Sequence, residues 1–394
     1  MKPAPLTPPL TPPHGPLERL PEEWAAALSA MGEPKYRGLQ VFRWIHQRGV
    51  LDPEQMSDLP KSLREKLRGE GLGSPLTVVS EYLSDDTTRK LLLRLHDDKD
   101  IEAVLIPQRV QTEADVGAPD DAEGDLDEPE SVALSLFTQC ISTQVGCAMG
   151  CVFCASGQAG LKRNLTAGEI VAQVLLGRAR LGESERLRNI VLMGMGEPLA
   201  NYDAVARALV LLTHPDGLNL SRRRVTLSTS GLVPQIDRLG QEFGGQVQLA
   251  VSLHQVDDAR RSALMPINRK YPLAELLAAL RRYPLPKRRR ITIEYTLVRG
   301  QNDDLDDARA LARLMRGLRV KVNLIPMNPI DASALGPSSW DTVDGFQAVL
   351  IQQGIATFVR RRKGADIAAA CGQLALKGEK LRKGLRVVTS ETSG

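Results

Sequence analysis

Cys147-Ala148-Met149-Gly150-Cys151-Val152-Phe153-Cys154 places three thiols within eight residues, in a C-x₃-C-x₂-C spacing. Soft sulfur ligands select zinc, copper(I) or iron–sulfur clusters. A structural zinc site normally takes four protein ligands. No histidine lies nearby, and Cys140 is the only further cysteine close in sequence that could be the fourth. Three thiolates on a four-iron cube would instead leave one iron open to a small molecule. With five cysteines in 394 residues the chain has no disulfide scaffold, which points to a reducing cytoplasm, where thiols more often bind metal or react.

The motif follows a β-branched, apolar run at 134–137, and similar runs recur at 190–193, 225–227, 247–253, 291–298 and 320–325. Helix-length amphipathic stretches separate them, including 165–181, 204–213, 273–283 and 304–316. Strands alternating with helices predict βα units around a parallel sheet. About six units are too few for an eight-unit barrel, so an open, partial barrel is expected. The runs end in Gly194-Met195-Gly196-Glu197-Pro198, Ser228-Thr229-Ser230-Gly231, Ser252-Leu253-His254, Arg299-Gly300-Gln301-Asn302 and Pro326-Met327-Asn328-Pro329. In a parallel array all strand C-termini share one face, where ligands bind; five polar loops in succession predict a site there.

Outside this array, residues 1–17 form a proline-rich tail expected to be disordered, with seven prolines in the first sixteen positions. Helical spacing at 22–31, 36–47 and 60–67 predicts a helical accessory domain over 18–75, with Lys35, Arg37, Arg43 and Arg48 available to phosphates. Within 76–110, runs at 90–95 and 101–106 flank Asp97-Asp98-Lys99-Asp100 and read as a β-hairpin linker region. An acidic insertion covers 111–132, the partial barrel 133–376, and a basic tail 377–394. The Thr166/Glu169 pair predicts a capping box opening the helix after the cysteine loop.

Charge is distributed unevenly. The net charge is +4, but residues 113–130 hold nine acidic and no basic side chains; the rest of the chain carries 51 basic against 38 acidic groups. A body this basic suits a polyanion such as nucleic acid. Arg222-Arg223-Arg224, Lys287-Arg288-Arg289-Arg290, Arg360-Arg361-Arg362-Lys363 and the C-terminal tail are the candidate phosphate contacts. No run of about 18 apolar residues exists, so no membrane span is expected, and because Met1-Lys2-Pro3-Ala4-Pro5 opens no apolar core or small-residue cleavage site, no secretory signal is expected either.

The cysteine motif resembles the radical S-adenosylmethionine (SAM) superfamily. Cys140-Ile141-Ser142-Thr143-Gln144-Val145-Gly146-Cys147, the Gly-Met-Gly-Glu-Pro loop, Arg223 to Gly231, Met265-Pro266-Ile267-Asn268, Ile293-Glu294-Tyr295 and Ala370-Cys371-Gly372-Gln373-Leu374 narrow the resemblance to the RlmN/Cfr family of RNA methyltransferases. The resemblance covers roughly 18–110 and 133–376. It implies an α/β partial (βα)₆ radical SAM barrel, with a [4Fe-4S] cluster on Cys147, Cys151 and Cys154 and SAM chelated by the open iron.

It further implies adenine-C2 methylation of 23S rRNA and tRNA in preference to the C8 chemistry of the Cfr branch. The C2 carbon is not nucleophilic, so polar transfer from SAM has no handle, whereas a thiolate attacks a methylsulfonium readily. By resemblance, Cys371 is methylated by one SAM. A second SAM yields a 5′-deoxyadenosyl radical that takes hydrogen from the S-methyl group, and the methylene radical adds to adenine. Cys140 matches the cysteine that resolves this protein–RNA adduct, and Glu102 matches a proposed proton acceptor, a role for which Cys140 competes. Gly196-Glu197 matches the loop that holds the SAM amino group; Ser228, Ser252, Leu253, His254 and Asn328 match further SAM contacts. Met327 stands where the family pattern leads one to expect an aromatic.

A reducing, flavodoxin-like electron donor and a monomeric state complete the expectation. The competing readings are a Cfr-type C8 enzyme, a radical SAM enzyme without the methyl-cysteine step, and a non-catalytic RNA-binding protein with a structural metal site.

Overall fold

The computed structural model describes residues 15–108, 135–330, 333–360 and 363–374. The acidic insertion, the basic C-terminal tail and residues 1–14 of the proline-rich tail lie outside the described residues. The last part of that tail is built into the fold: Pro16–Glu18 makes a 3₁₀ turn and Leu17 is buried.

The N-terminal helices are α1 (Pro21–Ala30), α2 (Arg37–Phe42) and α3 (Lys61–Gly69), with a π-type turn over Arg43–Gln47. Trp24, Leu28, Phe42, Ile45, Leu63 and Leu67 are completely buried, each contributing about 1.5–3 kcal/mol of apolar transfer. Three strands follow: β1 (Leu76–Leu83), β2 (Arg89–Leu95) and β3 (Asp100–Pro107), paired antiparallel. The expected two-stranded hairpin is therefore a three-stranded meander. Its first strand escaped notice because half-polar Thr77-Val78-Val79-Ser80-Glu81 lacks a continuous apolar run.

The barrel begins at β4 (Ser135–Cys140). A small ribbon, β5 (Gln144–Val145) with β6 (Arg163–Asn164), brackets the cysteine loop and a short helix α4 (Ala155–Ala159). Then come α5 (Ala167–Arg178), β7 (Glu185–Leu192), α6 (Tyr202–Leu212), β8 (Val225–Thr229), α7 (Val233–Phe243) and β9 (Gln248–Ser252). The chain continues through α8 (Asp258–Leu264), α9 (Leu273–Arg282), β10 (Ile291–Leu297), α10 (Leu305–Leu314), β11 (Val320–Pro326), α11 (Trp340–Gln352) and β12 (Thr357–Val359).

One ten-stranded sheet runs β1-β2-β3-β4-β7-β8-β9-β10-β11-β12. From β4 to β12 every pairing is parallel, while β3 joins β4 antiparallel. The meander thus extends the barrel sheet and is no separate linker. Each parallel pair needs a helical crossover, and six βα units followed by β12 give the partial barrel.

The helical accessory domain is bolted to the outer helices of the barrel. The Glu18 carboxylate accepts from Gly168 N, and its backbone carbonyl accepts from Arg207 Nε at 2.8 Å. Glu23 pairs with Arg207, Arg43 pairs with Asp216 at 2.6 Å, and Arg178 donates to Gln47 O. Arg43, expected to face phosphate, is therefore committed to the barrel. Among the described residues no helix is long and apolar enough to cross a membrane.

Candidate active site

The cysteine loop is held in place at both ends. At Gly146 the backbone turns at φ +75°, and a Cβ there would lie 1.8 Å from Gly160 O. At the far end, Thr166 Oγ1 accepts from Glu169 N and the Glu169 carboxylate accepts from Thr166 N, the expected capping box. Arg163 clamps this corner, donating to both Glu169 oxygens at 2.8 Å and to Asp97 of the β2–β3 turn at 2.8 and 3.1 Å.

Cys147, Cys151 and Cys154 line one open cavity at the C-terminal ends of the parallel strands, roughly 980 Å³ with its open mouth included. Burial pushes the Cys147 thiol up to about 12, with Glu197 and Cys154 adding repulsion. Burial likewise raises Cys151 and Cys154, and Cys151 is raised further by the other two cysteines. Three crowded, buried thiols do not ionise unless cations replace their protons, so this donor set fits a sulfur-ligated cluster. Among the described residues, no three His, Cys, Asp or Glu side chains converge as ligands of a single metal ion. Cys140 does not join the three: its thiol accepts from Met193 N, and its charged neighbours are Cys371 and Arg360. It is thus displaced from the position of a fourth zinc ligand.

Four of the five polar loops after the strands converge as expected; the fifth, Arg299-Gly300-Gln301-Asn302, stays off the cavity wall, with Asn302 spent on bracing Val298 N and the carbonyls of His254 and Thr296. Gly196, Glu197, Ser228, Ser252, His254 and Asn328 all line the cavity. At Gly196 φ is +106° and a Cβ would meet the Gln144 side chain at 2.6 Å, so glycine is required. Glu197 is buried, which raises its pKa against the pull of its hydrogen bonds. Its two oxygens accept from Ser230 N at 2.7 Å and Leu199 N at 3.1 Å, leaving further lone pairs for an ammonium ligand. His254, at φ +54°, accepts from Thr296 N through Nδ1 and stacks edge-on against Phe153 at 4.8 Å. Burial holds its pKa down at about 3, so it is neutral and carries its proton on Nε2. Leu253 behaves differently: its side chain is fully buried, and only its backbone is engaged, donating to Glu294 O and accepting from Arg261.

Cys371 also lines this cavity, on the loop that follows β12. Asn328 Nδ2 donates to Cys371 O, Ala155 N donates to Gly372 O, and Ser156 Oγ bonds Leu374 O. On the opposite side Ser84 Oγ donates to Asp366 at 2.5 Å and Gly364 N to Asp86 at 3.2 Å, tying the loop to the β1–β2 turn. Burial raises the Cys371 thiol pKa; Arg360 pulls it down and Glu294 and Cys154 push it up.

Glu102 is not brought to the cavity wall. It lies on β3, on the same sheet face as Val104 and its partner Cys140, and its carboxylate pairs with Lys90 at 3.2 Å. Arg360 corrects a second expectation. Read as part of a phosphate-facing run, it instead lines the cavity together with Glu294. Only the placement of β12 beside β11 reveals this; Arg360 N donates to Leu324 O at 2.8 Å. Arg361 and Arg362 lie outside the described residues. The Arg222–Arg224 and Lys287–Arg290 clusters precede β8 and β10, at the sheet end opposite the cavity. Met327 is buried and lines the cavity where an aromatic was expected.

Comparison with known proteins agrees with this geometry. The Radical SAM superfamily model matches residues 141–312, and a model described as the ribosomal RNA large subunit methyltransferase N-terminal domain matches 21–70. A protein of Sorangium cellulosum named dual-specificity RNA methyltransferase RlmN is 64% identical, covering 94% of this chain and 97% of its own. Its namesake in Anaeromyxobacter dehalogenans is 46% identical over 92% of each chain. The crystal structure of a radical SAM methyltransferase from Sphaerobacter thermophilus superposes with a TM-score of 0.81 at 45% identity, covering 91% of this chain and 98% of that one.

Proposed function

The chain belongs to the RlmN family of radical SAM RNA methyltransferases, and from that premise we propose that it methylates adenine C2 in two RNAs. These are a specific adenosine of 23S rRNA, in the peptidyl-transferase centre, and the adenosine 3′ to the anticodon in tRNAs. The reading consumes two SAM molecules per turnover through an S-methylcysteine at Cys371. Its support is the arrival of Cys371, from the far end of the chain, on the wall lined by Cys147, Cys151 and Cys154. The alternative of a non-catalytic RNA-binding protein with a structural metal falls with the family assignment and with the displacement of Cys140.

Cys147, Cys151 and Cys154 would hold a [4Fe-4S] cluster, which would supply one-electron reduction of SAM. The chain's own groups do the rest. Glu197 offers its spare lone pairs to the SAM ammonium. The neutral His254 presents Nε2–H; Ser228, Ser252 and Asn328 supply further polar contacts from the strand ends. Cys371 is the methyl carrier, and Arg360 favours the thiolate that attacks the methylsulfonium. Cys140, beside Cys371, takes the C2 proton in preference to Glu102, which Lys90 occupies. Its thiolate then attacks the Cys371 sulfur, forming a Cys140–Cys371 disulfide as the S–C bond to the transferred carbon breaks and leaves its electron pair on that carbon. A basic chain with a cytoplasmic location, a flavodoxin-like donor and a monomeric state fit this work.

The test is to incubate reconstituted enzyme and SAM with 23S rRNA fragments and tRNA transcripts, then digest and analyse nucleosides by mass spectrometry. 2-Methyladenosine from both RNAs is expected. 8-Methyladenosine, or no methylated adenosine, overturns the reading.

A further inference from the structure

The Met265-Pro266-Ile267-Asn268 motif has no part in the chemistry above, yet it ends beside a fully buried arginine. Arg261, on α8, spends its guanidinium on four acceptors. Nε donates to Leu253 O at 3.0 Å, Nη2 to Ser230 O at 2.9 Å and Ser252 O at 3.0 Å, and Nη1 to Asn268 Oδ1 at 2.8 Å. Three of these are backbone carbonyls of the loops after β8 and β9, where the SAM contacts lie. Ser230 then passes the restraint on, because its N–H holds the Glu197 carboxylate at 2.7 Å.

Asn268 fixes the arginine in turn. Its Nδ2 donates to Asp258 O, Asp258 Oδ1 and Ser262 Oγ at 2.9–3.0 Å. Val152 N donates to Leu264 O, so the same helix end also supports the cysteine loop.

The charge is the second observation. Burying a guanidinium costs several kcal/mol unless an anion or many dipoles compensate. Among the described residues no carboxylate lies within ion-pair distance of Arg261. The carboxylate that favours its charged form is Asp258, which Asn268 holds in place. Burial lowers its pKa only to about 10, so it remains a cation at neutral pH.

We infer that Arg261 is a positioning residue that sets the SAM-binding loops after β8 and β9. This rests on the reading that the cavity takes SAM and a four-iron cluster.

The test uses reconstituted full-length enzyme with two readouts, the SAM Kd by equilibrium dialysis and the cluster midpoint potential by EPR-monitored titration. In Arg261→Met the Kd rises by about 10- to 100-fold, the range that groups supporting a metal site command. Arg261→Lys does not restore it, because an ammonium cannot span three carbonyls and an amide in one plane. Asn268→Ala raises the Kd while the midpoint potential stays at the wild-type value, which shows the cluster intact, and it carries the test if Arg261→Met does not fold. A wild-type Kd in both Arg261→Lys and Asn268→Ala overturns the positioning role. If the unmutated protein takes up iron but does not bind SAM, the cofactor reading fails, and this inference with it.

Discussion

The side-chain amide of Asn328 donates to the backbone carbonyl of Cys371 at 3.0 Å. One strand-end residue thereby holds the thiol-bearing loop over the cavity, while its own buried Oδ1 has no hydrogen-bond partner among the described residues. The cavity wall and the Cys371 loop are thus joined in one side chain.

Replacing this amide cuts that tie. Asn328→Ala loses a hydrogen bond worth about 1 kcal/mol, and the Cys371 loop is less well held. Peptide mass spectrometry of enzyme purified from SAM-replete cells is expected to show roughly fivefold slower Cys371 methylation, with iron content unchanged. Full-rate methylation would remove Asn328 from this role.

Cys140→Ala leaves the adduct without its resolving thiol. Denaturing electrophoresis after reaction is expected to show protein covalently linked to RNA, sensitive to nuclease. Normal product with no such species would assign resolution elsewhere. Because burial pushes the Cys140 thiol up to about 12, only a minute fraction is ionised at neutral pH. Resolution in the wild type is therefore expected to accelerate tenfold per pH unit across the alkaline range where the protein stays folded.

Arg360→Gln removes the cation that favours the Cys371 thiolate. The first methyl transfer is then slower at neutral pH, and its pH profile moves to the alkaline side. Arg360→Lys, which keeps the charge, restores most of the rate. A profile unmoved in Arg360→Gln would show that Arg360 does not act on the thiol.

Acid stability turns on His46 at the junction of the accessory domain and the barrel. It is buried against Phe42, and its two nitrogens lack hydrogen-bond partners among the described residues. Burial, with His214 and Arg207 adding repulsion, holds its pKa down at about 3. Below pH 6.5 the unfolded chain binds a proton that the folded chain refuses, so stability falls as pH drops towards 3, by up to about 1.4 kcal/mol per unit. Thermal melts of His46→Phe between pH 7 and 5 are expected to lose less Tm than the wild type. Parallel curves would exclude His46 as a source of the acid sensitivity.

Much of this was legible in the chain itself. The three cysteines, the capping box at Thr166 and the polar endings of consecutive strands are local patterns, and backbone geometry turns them into a cluster loop, a helix start and one ligand-binding face. The strands β8 to β11 announce themselves because β-branched and apolar residues dominate them, even where Glu294, Lys321 and Asn323 interrupt the run.

What no local pattern carries is which distant segments meet. Arg360 reads as one of a run of arginines until β12 pairs with β11 and turns it inward; Glu102 reads as a free carboxylate until β2 sets Lys90 beside it. Arg261 carries no signal in the sequence at all, yet it is fully buried beneath carbonyls at the ends of two other strands. Periodicity fixes only which face a side chain occupies on its own element. Its partner, and therefore its charge state and task, is decided by sheet order and loop closure, which only the folded chain contains.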